Sequence, residues 1–368
     1  MKCVEEAKPL EKGFPYTYSK FDTKGLFYLS VRDEEELSQR VTECVEEGVP
    51  IIPLGYGTTN FSQLKPRRRP SVYLDVTGLK GIIDEGKDWV EVYPGNRVGE
   101  LLRYLRKQGK DLPVYPSSFE ISSIGGFVEG GSGGPGSFNY GPHFKVLSKE
   151  VELITPRGGL KLSGRGALGV THACGTTGVL KRVKVNAVEY VERKLQYVEV
   201  SEVKELREMI AKMFKQREKF NLVSVYNKQG FKGTFREEAN KNWVVVFSSA
   251  LELGSSLSVD DRFSFATSFA VNTGKRWYVM DLELEELESL EEVRDKGAVH
   301  GEVVNLGEPT LLVDVFSEKM VGMRENVNEK VRDHLLRFKG YGREVLEEIV
   351  ELKARADPMD VFNPGKLI

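Results

Sequence analysis

Apolar positions recur with a helical period between Asp33 and Gly48, where Leu37, Val41 and Val45 share one face. Asp33 stands as an N-cap with Glu36 three residues on, and Gly48 stops the run. The unbroken apolar stretch VPIIPL (49–54) reads as a buried strand that delivers the chain into a Gly-Tyr-Gly-Thr-Thr-Asn turn at 55–60. Short β patterns follow at 71–76, 81–84 and 88–95. Asn96 then reads as the cap of a second amphipathic helix, with Val98, Leu101, Leu102 and Leu105 inward and Gly109 at its end. Further strands are predicted near 150–155, 159–162 and 182–189. Beyond Tyr190 the chain is charged and glycine-poor. It predicts a helix near 202–219, strands near 243–250, 276–282 and 309–316, a helical segment near 284–294, and helices near 318–338 and 342–354. Short strands with few helices make an α+β protein, not the regular alternation of a doubly wound sheet.

One stretch breaks the pattern: ISSIGGFVEGGSGGPGSFNYG (121–141). Gly131, Gly133 and Gly136 spell the dinucleotide fingerprint G-x-G-x-x-G. A Rossmann loop needs a strand before it and a helix after it. Here GGFVEG precedes, Pro135 sits inside, and SFNYGPHFK is a poor helix start, so the match is accidental. The upstream part carries more. Pro116-Ser117-Ser118 and Ile121 to Gly126 gather hydroxyls and glycines, which let backbone N–H groups approach a pyrophosphate closely. Ile121 and Ile124, three apart, predict a short packed helical turn whose N-terminus faces an anion.

Composition narrows the class. A chain of 368 residues, 40% hydrophobic and 29% charged, is long enough for two domains and ordinary for a soluble protein. A net charge of −2 leaves no electrostatic footprint for nucleic acid, and the basic run at 65–69 reads as a solvated loop. Cys3, Cys44 and Cys174 form no C-x-x-C pair, which argues against a disulfide framework or zinc ribbon and suits a reducing cytosol. The N-terminus shows no signal-peptide pattern, and no run approaches the roughly 18 apolar residues of a membrane span.

Several motifs in order now carry a resemblance. Pro50 to Thr59, Leu74-Asp75-Val76-Thr77-Gly78-Leu79 and Val90 to Gly95 are followed by Pro116-Ser117-Ser118 with Ile124-Gly125-Gly126. Then come Asn139-Tyr140-Gly141, Gly175 to Leu180, and a tail with Asp357-Pro358 and Asn363-Pro364-Gly365-Lys366. Together they resemble the FAD-linked oxidases of the vanillyl-alcohol oxidase type, the PCMH fold, and most of all the glycolate oxidase/D-lactate dehydrogenase branch. The resemblance implies a PCMH-type FAD-binding domain of two α+β subdomains at 1–189. It also implies a smaller α+β cap at 190–320, and C-terminal helices and a tail at 321–368 that return to the FAD domain. It implies FAD held by Pro53, Gly55, Tyr56, Gly57, Thr58, Thr59 and Asn60. It adds Pro116, Ser117, Ser118, Ser122, Ser123, Gly125 and Gly126; Tyr140, Gly141, Gly175, Gly178 and Val179; and Asn363 with Lys366. Covalently tethered relatives often place a histidine in the first loop, where this chain has Tyr56, Thr58 and Thr59, so non-covalent FAD is expected.

Two departures stand out. Tyr115 replaces the aspartate that precedes Pro-Ser-Ser, and the branch's metal-associated H-x-G-D-G-N-x-H segment is reduced to Val299-His300-Gly301-Glu302. One histidine and one glutamate make no convincing divalent site, so no metal is expected. The catalytic candidates are His143, a base beside the flavin or else a structural histidine, His300, and Arg324, a carboxylate clamp or else a surface ion pair. His172 is expected to satisfy backbone, His334 to face solvent, and Tyr226 and Tyr278 are further substrate-facing candidates.

The resemblance implies an FAD-dependent oxidoreductase acting on the CH–OH group of a small hydroxy acid or alcohol, glycolate- or D-lactate-like, with electrons passed to a second acceptor. The alternative is a flavoprotein subunit of a multi-subunit glycolate oxidase-like complex with a structural or electron-relay role. Its partner would be an iron–sulfur or other acceptor subunit. A cell-wall reductase sharing the FAD fold is a third reading, disfavoured by the Asn363 to Lys366 tail. The expected location is cytoplasmic, or peripheral to a membrane through a partner, with no nucleic-acid partner.

Overall fold

The computed structural model describes residues 2–14, 21–59, 62–131, 133–257, 275–319, 321–325 and 330–368. The protein is α+β and is built, among the described residues, on three main sheets. The first orders Lys8–Pro9, Leu26–Ser30, Ser71–Asp75 and Ile51–Leu54, and its last three strands run parallel. Ser71–Asp75 is buried at every position, as a strand covered on both faces must be. The helix Glu34–Glu46 feeds this sheet. Asp33 caps it by accepting from the Glu36 N–H at 2.8 Å, and Leu37 and Val41 pack inward.

The second sheet is antiparallel, ordering Ile82–Glu85, Trp89–Val92, Val179–Asn186, Ser148–Thr155 and Gly158–Ser163. Helices Val98–Arg106 and Ile124–Gly130 share its core. The cap of the first of these is Arg97, one residue later than expected. Asn96 spends its side-chain amide on the carbonyls of Gly81 and Tyr93, both at 2.8 Å, and closes the preceding turn instead.

The third sheet carries eight antiparallel strands among the described residues. Five of them, Lys194–Val200, Phe220–Asn227, Ser255–Ser256, Ala298–Asn305 and Arg324–Glu325, fall where no strand is predicted. The helix expected at 202–219 stops at Phe214, because FNLVSVYN is buried at every position as a central strand. The helix expected at 318–338 is overturned as well. Arg324–Glu325 pairs with Tyr278 and Val279 at the sheet edge, and the α-helix there is only Val331–Leu335. The tail then returns to the first sheet, where the Ile51 N–H donates to Val361 O at 3.0 Å and the Asn363 N–H to Ile51 O at 2.8 Å.

The cysteine reading is also corrected. Cys3 and Cys44 form a disulfide, with 5.1 Å between their Cα atoms. The pair is 41 residues apart in sequence and meets only because the helix Lys2–Glu5 packs on Glu34–Glu46, which spacing could not reveal. With it falls the redox argument for a reducing compartment; Cys174 is free. Among the described residues no helix is long and apolar enough to cross a membrane.

Candidate active site

A deep cleft runs between the first two sheets and the third. One wall is the turn that leaves strand Ile51–Leu54: Pro53, Gly55, Tyr56, Gly57, Thr58 and Thr59 line it. Tyr56 is pinned there, its hydroxyl donating to Gly95 O at 3.3 Å and its ring lying 3.9 Å under the Arg97 guanidinium. Pro116, Ser117, Ser118, Ser122, Ser123 and Gly126 form the adjoining wall. Hydroxyls knit the two together: Ser122 Oγ lies 2.9 Å from Thr58 Oγ1 and 2.7 Å from Ser118 Oγ. These rotatable donors suit an anionic pyrophosphate.

The helix Ile124–Gly130 contributes less at its N-terminus than the glycine pattern suggests. Its first N–H groups are spent internally, Ile124 on Asn96 O and Gly125 on Pro94 O, both at 2.9 Å, and Gly126 on the Ser123 cap at 3.1 Å. Gly125 is small because Pro94 packs against it; a Cβ there would sit 2.5 Å from the proline's Cβ. Ser123→Ala is therefore expected to destabilise the protein by about 1 kcal/mol in a denaturant titration, the usual cost of a lost N-cap.

Several expected cofactor contacts stand behind the cleft. Gly175 backs onto the Pro53 ring, Gly178 onto Leu153 and Ile154, and Val179 is buried in the core beside Ile51 and Val72. Tyr140 and Gly141 end a short turn held to the third sheet, where the Asn305 amide donates to Asn139 O at 2.9 Å. Lys366 is buried and donates to Ser62 O at 2.7 Å. Of the tail residues Asn363 does line the cleft, its amide N donating to Cys174 O at 2.8 Å. Asn60 lies outside the described residues.

The catalytic candidates divide. His300 lines the cleft from the third sheet. Its Nδ1 lies 3.6 Å from Asp314 Oδ2, and Trp277 Nε1 donates to the other Asp314 oxygen at 2.9 Å. His300 and Asp314 are direct cross-strand partners in the hairpin of Ala298–Asn305 and Pro309–Ser317. Tyr226 packs its ring 5.0 Å from His300, whereas Tyr278 is buried and donates to Lys319 O at 3.3 Å. Glu302, two residues on from His300, ties the third sheet to the glycine-rich stretch: it accepts from Gly134 N–H at 2.5 Å and Ser137 Oγ at 2.6 Å.

His143 does not line the cleft. It is fully buried below Gly131, with neither ring nitrogen hydrogen-bonded, and burial holds it well below the usual histidine range. Arg324 is exposed on the edge strand and belongs to the sheet margin. Arg337 stands in the cleft instead, buried, with Nε and Nη2 bound to Asp281 Oδ1 at 3.1 and 2.9 Å. His334 corrects a second expectation: it is buried, lines the cleft, and stacks on His172 with ring centroids 4.5 Å apart. Burial keeps both neutral, with His172 pushed down to about 3. Gly131, in the left-handed region at φ 57°, lets the chain pass over these rings; a Cβ there would lie 2.1 Å from His172 Nδ1. Glu129 lines the cleft too and is unremarked in the sequence.

Residues 26–163 match the family described as FAD binding domain. The chain carries a PCMH-type FAD-binding domain, one found in a family of flavin oxidoreductases. FAD is its cofactor. The hydroxyl-rich walls described above fit that group by chemistry. Among curated proteins the chain is 34% identical over 128 residues to "Glycolate oxidase subunit GlcD" of Bacillus subtilis (strain 168), covering 34% of this chain and 27% of the relative. It is 29% identical over 168 residues to "Alkyldihydroxyacetonephosphate synthase" of Dictyostelium discoideum, covering 42% of this chain and 27% of that protein. The aligned stretches thus span about a quarter of each relative. Two solved structures of alkyldihydroxyacetonephosphate synthase superpose with TM-scores of 0.68 and 0.69 at 15% identity, covering 92% of this chain and 76% of each. They share its fold.

Proposed function

We propose that the protein is an FAD-dependent oxidoreductase that oxidises the CH–OH group of a small 2-hydroxy acid or alcohol, of the glycolate or D-lactate kind. Its electrons would then pass to a second acceptor. The observation that carries this reading is that His300, Asp314 and an Arg337 held by Asp281 line the same cleft as the 53–59 loop and the serine wall. Asp314 Oδ2 lies 3.6 Å from His300 Nδ1, and a modest approach of the two on substrate binding would give that nitrogen a carboxylate acceptor and leave Nε2 to accept the substrate hydroxyl proton. The Arg337 fork suits a carboxylate, fixing which C–H is presented. Ser117, Ser118, Ser122 and the 53–59 loop would bind the pyrophosphate. Bound FAD supplies the two-electron acceptor.

Anaerobic titration of the flavin spectrum with a panel of 2-hydroxy acids and alcohols tests the reading. Bleaching by at least one hydroxy acid is expected; no bleaching by any member of the panel would sink it. His300→Gln should slow that reduction by about 10²–10⁴-fold while leaving the oxidised flavin spectrum intact.

A second reading, a flavoprotein subunit of a larger complex with an iron–sulfur or other acceptor subunit, is favoured by the name of the Bacillus subtilis relative, itself a subunit. It predicts bleaching only after the partner is added.

A further inference from the structure

We propose that the Glu129 side chain stays a neutral carboxylic acid, donates a hydrogen bond to FAD in the cleft, and makes FAD binding take up a proton at alkaline pH. The inference rests on the FAD-binding reading and adds to it a residue and a linkage.

Glu129 sits near the C-terminal end of the helix Ile124–Gly130, well past the Ser123 cap, and lines the same cleft as the hydroxyl-bearing walls and His300. It lines the cleft yet is only 8% exposed, and its Oε1 has no hydrogen-bond partner. The backbone holds it there: Glu129 O accepts from the Cys174 N–H at 2.7 Å, while Val128 O accepts from His172 at 2.8 Å. A buried carboxylate without a cation is costly, and burial alone pushes this carboxyl up to about 8.

The neighbouring groups do not relieve that cost. Cys174, from the turn packed on the helix end, keeps its thiol proton, pushed up to about 12 by burial and then by Glu129 itself. Lys366, behind Cys174, directs its ammonium to Ser62 O. His143, His172 and His334, beneath Gly131 and from the C-terminal helices, are held neutral by burial. Across the cleft Arg337 is engaged by Asp281, His300 faces Asp314, and Glu302 accepts from Gly134 and Ser137.

FAD is an anion and an array of acceptors. A carboxylate at Glu129 would repel its charge and leave its acceptors unserved, whereas the acid form offers an O–H. Covering the cleft also removes the water that lets Glu129 ionise. Binding therefore favours the protonated form, and above the titration of the free protein each FAD bound draws one proton from solution.

The test is FAD affinity of the apoprotein by fluorescence quenching from pH 6 to 10, with calorimetry in two buffers of different ionisation enthalpy. Wild type should show a constant Kd below about pH 8, rising about tenfold per pH unit above it, with net proton uptake at pH 9. Glu129→Gln, which keeps a donor and cannot ionise, should bind FAD within about threefold of wild type at pH 6. Its affinity should stay flat to pH 9 without proton uptake. The same pH profile in both proteins overturns the proposal. Should the variant fail to fold, the wild-type infrared difference spectrum decides. A carboxylic-acid C=O band must be gained on adding FAD at pH 9, and its absence is equally fatal. Failure to bind FAD at any pH removes the cofactor reading itself; pH-independent binding by wild type removes only this inference.

Discussion

Cys44→Ser protein is expected to be less stable than wild type by about 4 kcal/mol, and wild type treated with a reductant should lose the same amount. The disulfide closes a 41-residue separation, and cross-linking a loop of that size restricts the unfolded chain by about this much. The native side has little to compensate. Lys2–Glu5 is a single helical turn, far too short to hold without a tether. The arm that follows matters for the cleft: Phe14 packs edge-on against Tyr73 at 5.0 Å and fills the space beside Gly57, where a Cβ would lie 2.8 Å from the phenylalanine ring. Reduction should therefore lower both the chemical-denaturation midpoint and the retention of FAD, because the 53–59 turn loses its backing. A denaturation curve unchanged by reductant would refute the expectation.

What was legible in the sequence follows from where the physics is local. The helix from Glu34 to Glu46 and its Asp33 cap are fixed by spacing within a few residues, as is the strand that ends at Leu54. The first-loop and serine walls are equally local, since each is one short segment of small residues. The third sheet is different. Phe220–Asn227 and Ala298–Asn305 are central strands buried by neighbours distant in sequence, so neither shows the polar alternation of an exposed strand. His300 and Asp314 could have been paired by treating residues 298–317 as a hairpin about the Asn305–Gly307 turn, a signal present but unread. Glu129, Arg337 and His334 offered no such signal: a glutamate among glycines and two basic residues in a charged tail look solvent-exposed until the fold buries them. The same holds for the cysteines, whose pairing depends on which helix lies on which.

Arg337→Met should cut kcat/KM for a 2-hydroxy acid by about 10²–10³-fold, mainly through KM, while turnover of a simple alcohol changes little. The guanidinium is buried, and a charge-assisted bond to a carboxylate in such a setting is worth several kcal/mol more than the same bond in water. An alcohol lacks the carboxylate and cannot use it. The substitution also strands Asp281, whose carboxylate the arginine grips through Nε and Nη2, and a stability loss of about 1–3 kcal/mol should accompany it. The two effects separate in the double variant with Asp281→Asn. Neutralising the stranded carboxylate should restore most of the stability but none of the hydroxy-acid turnover, because the amide cannot replace a cation. Equal losses for acid and alcohol substrates would show that Arg337 only supports the fold. Restored turnover in the double variant would place the carboxylate site elsewhere in the cleft.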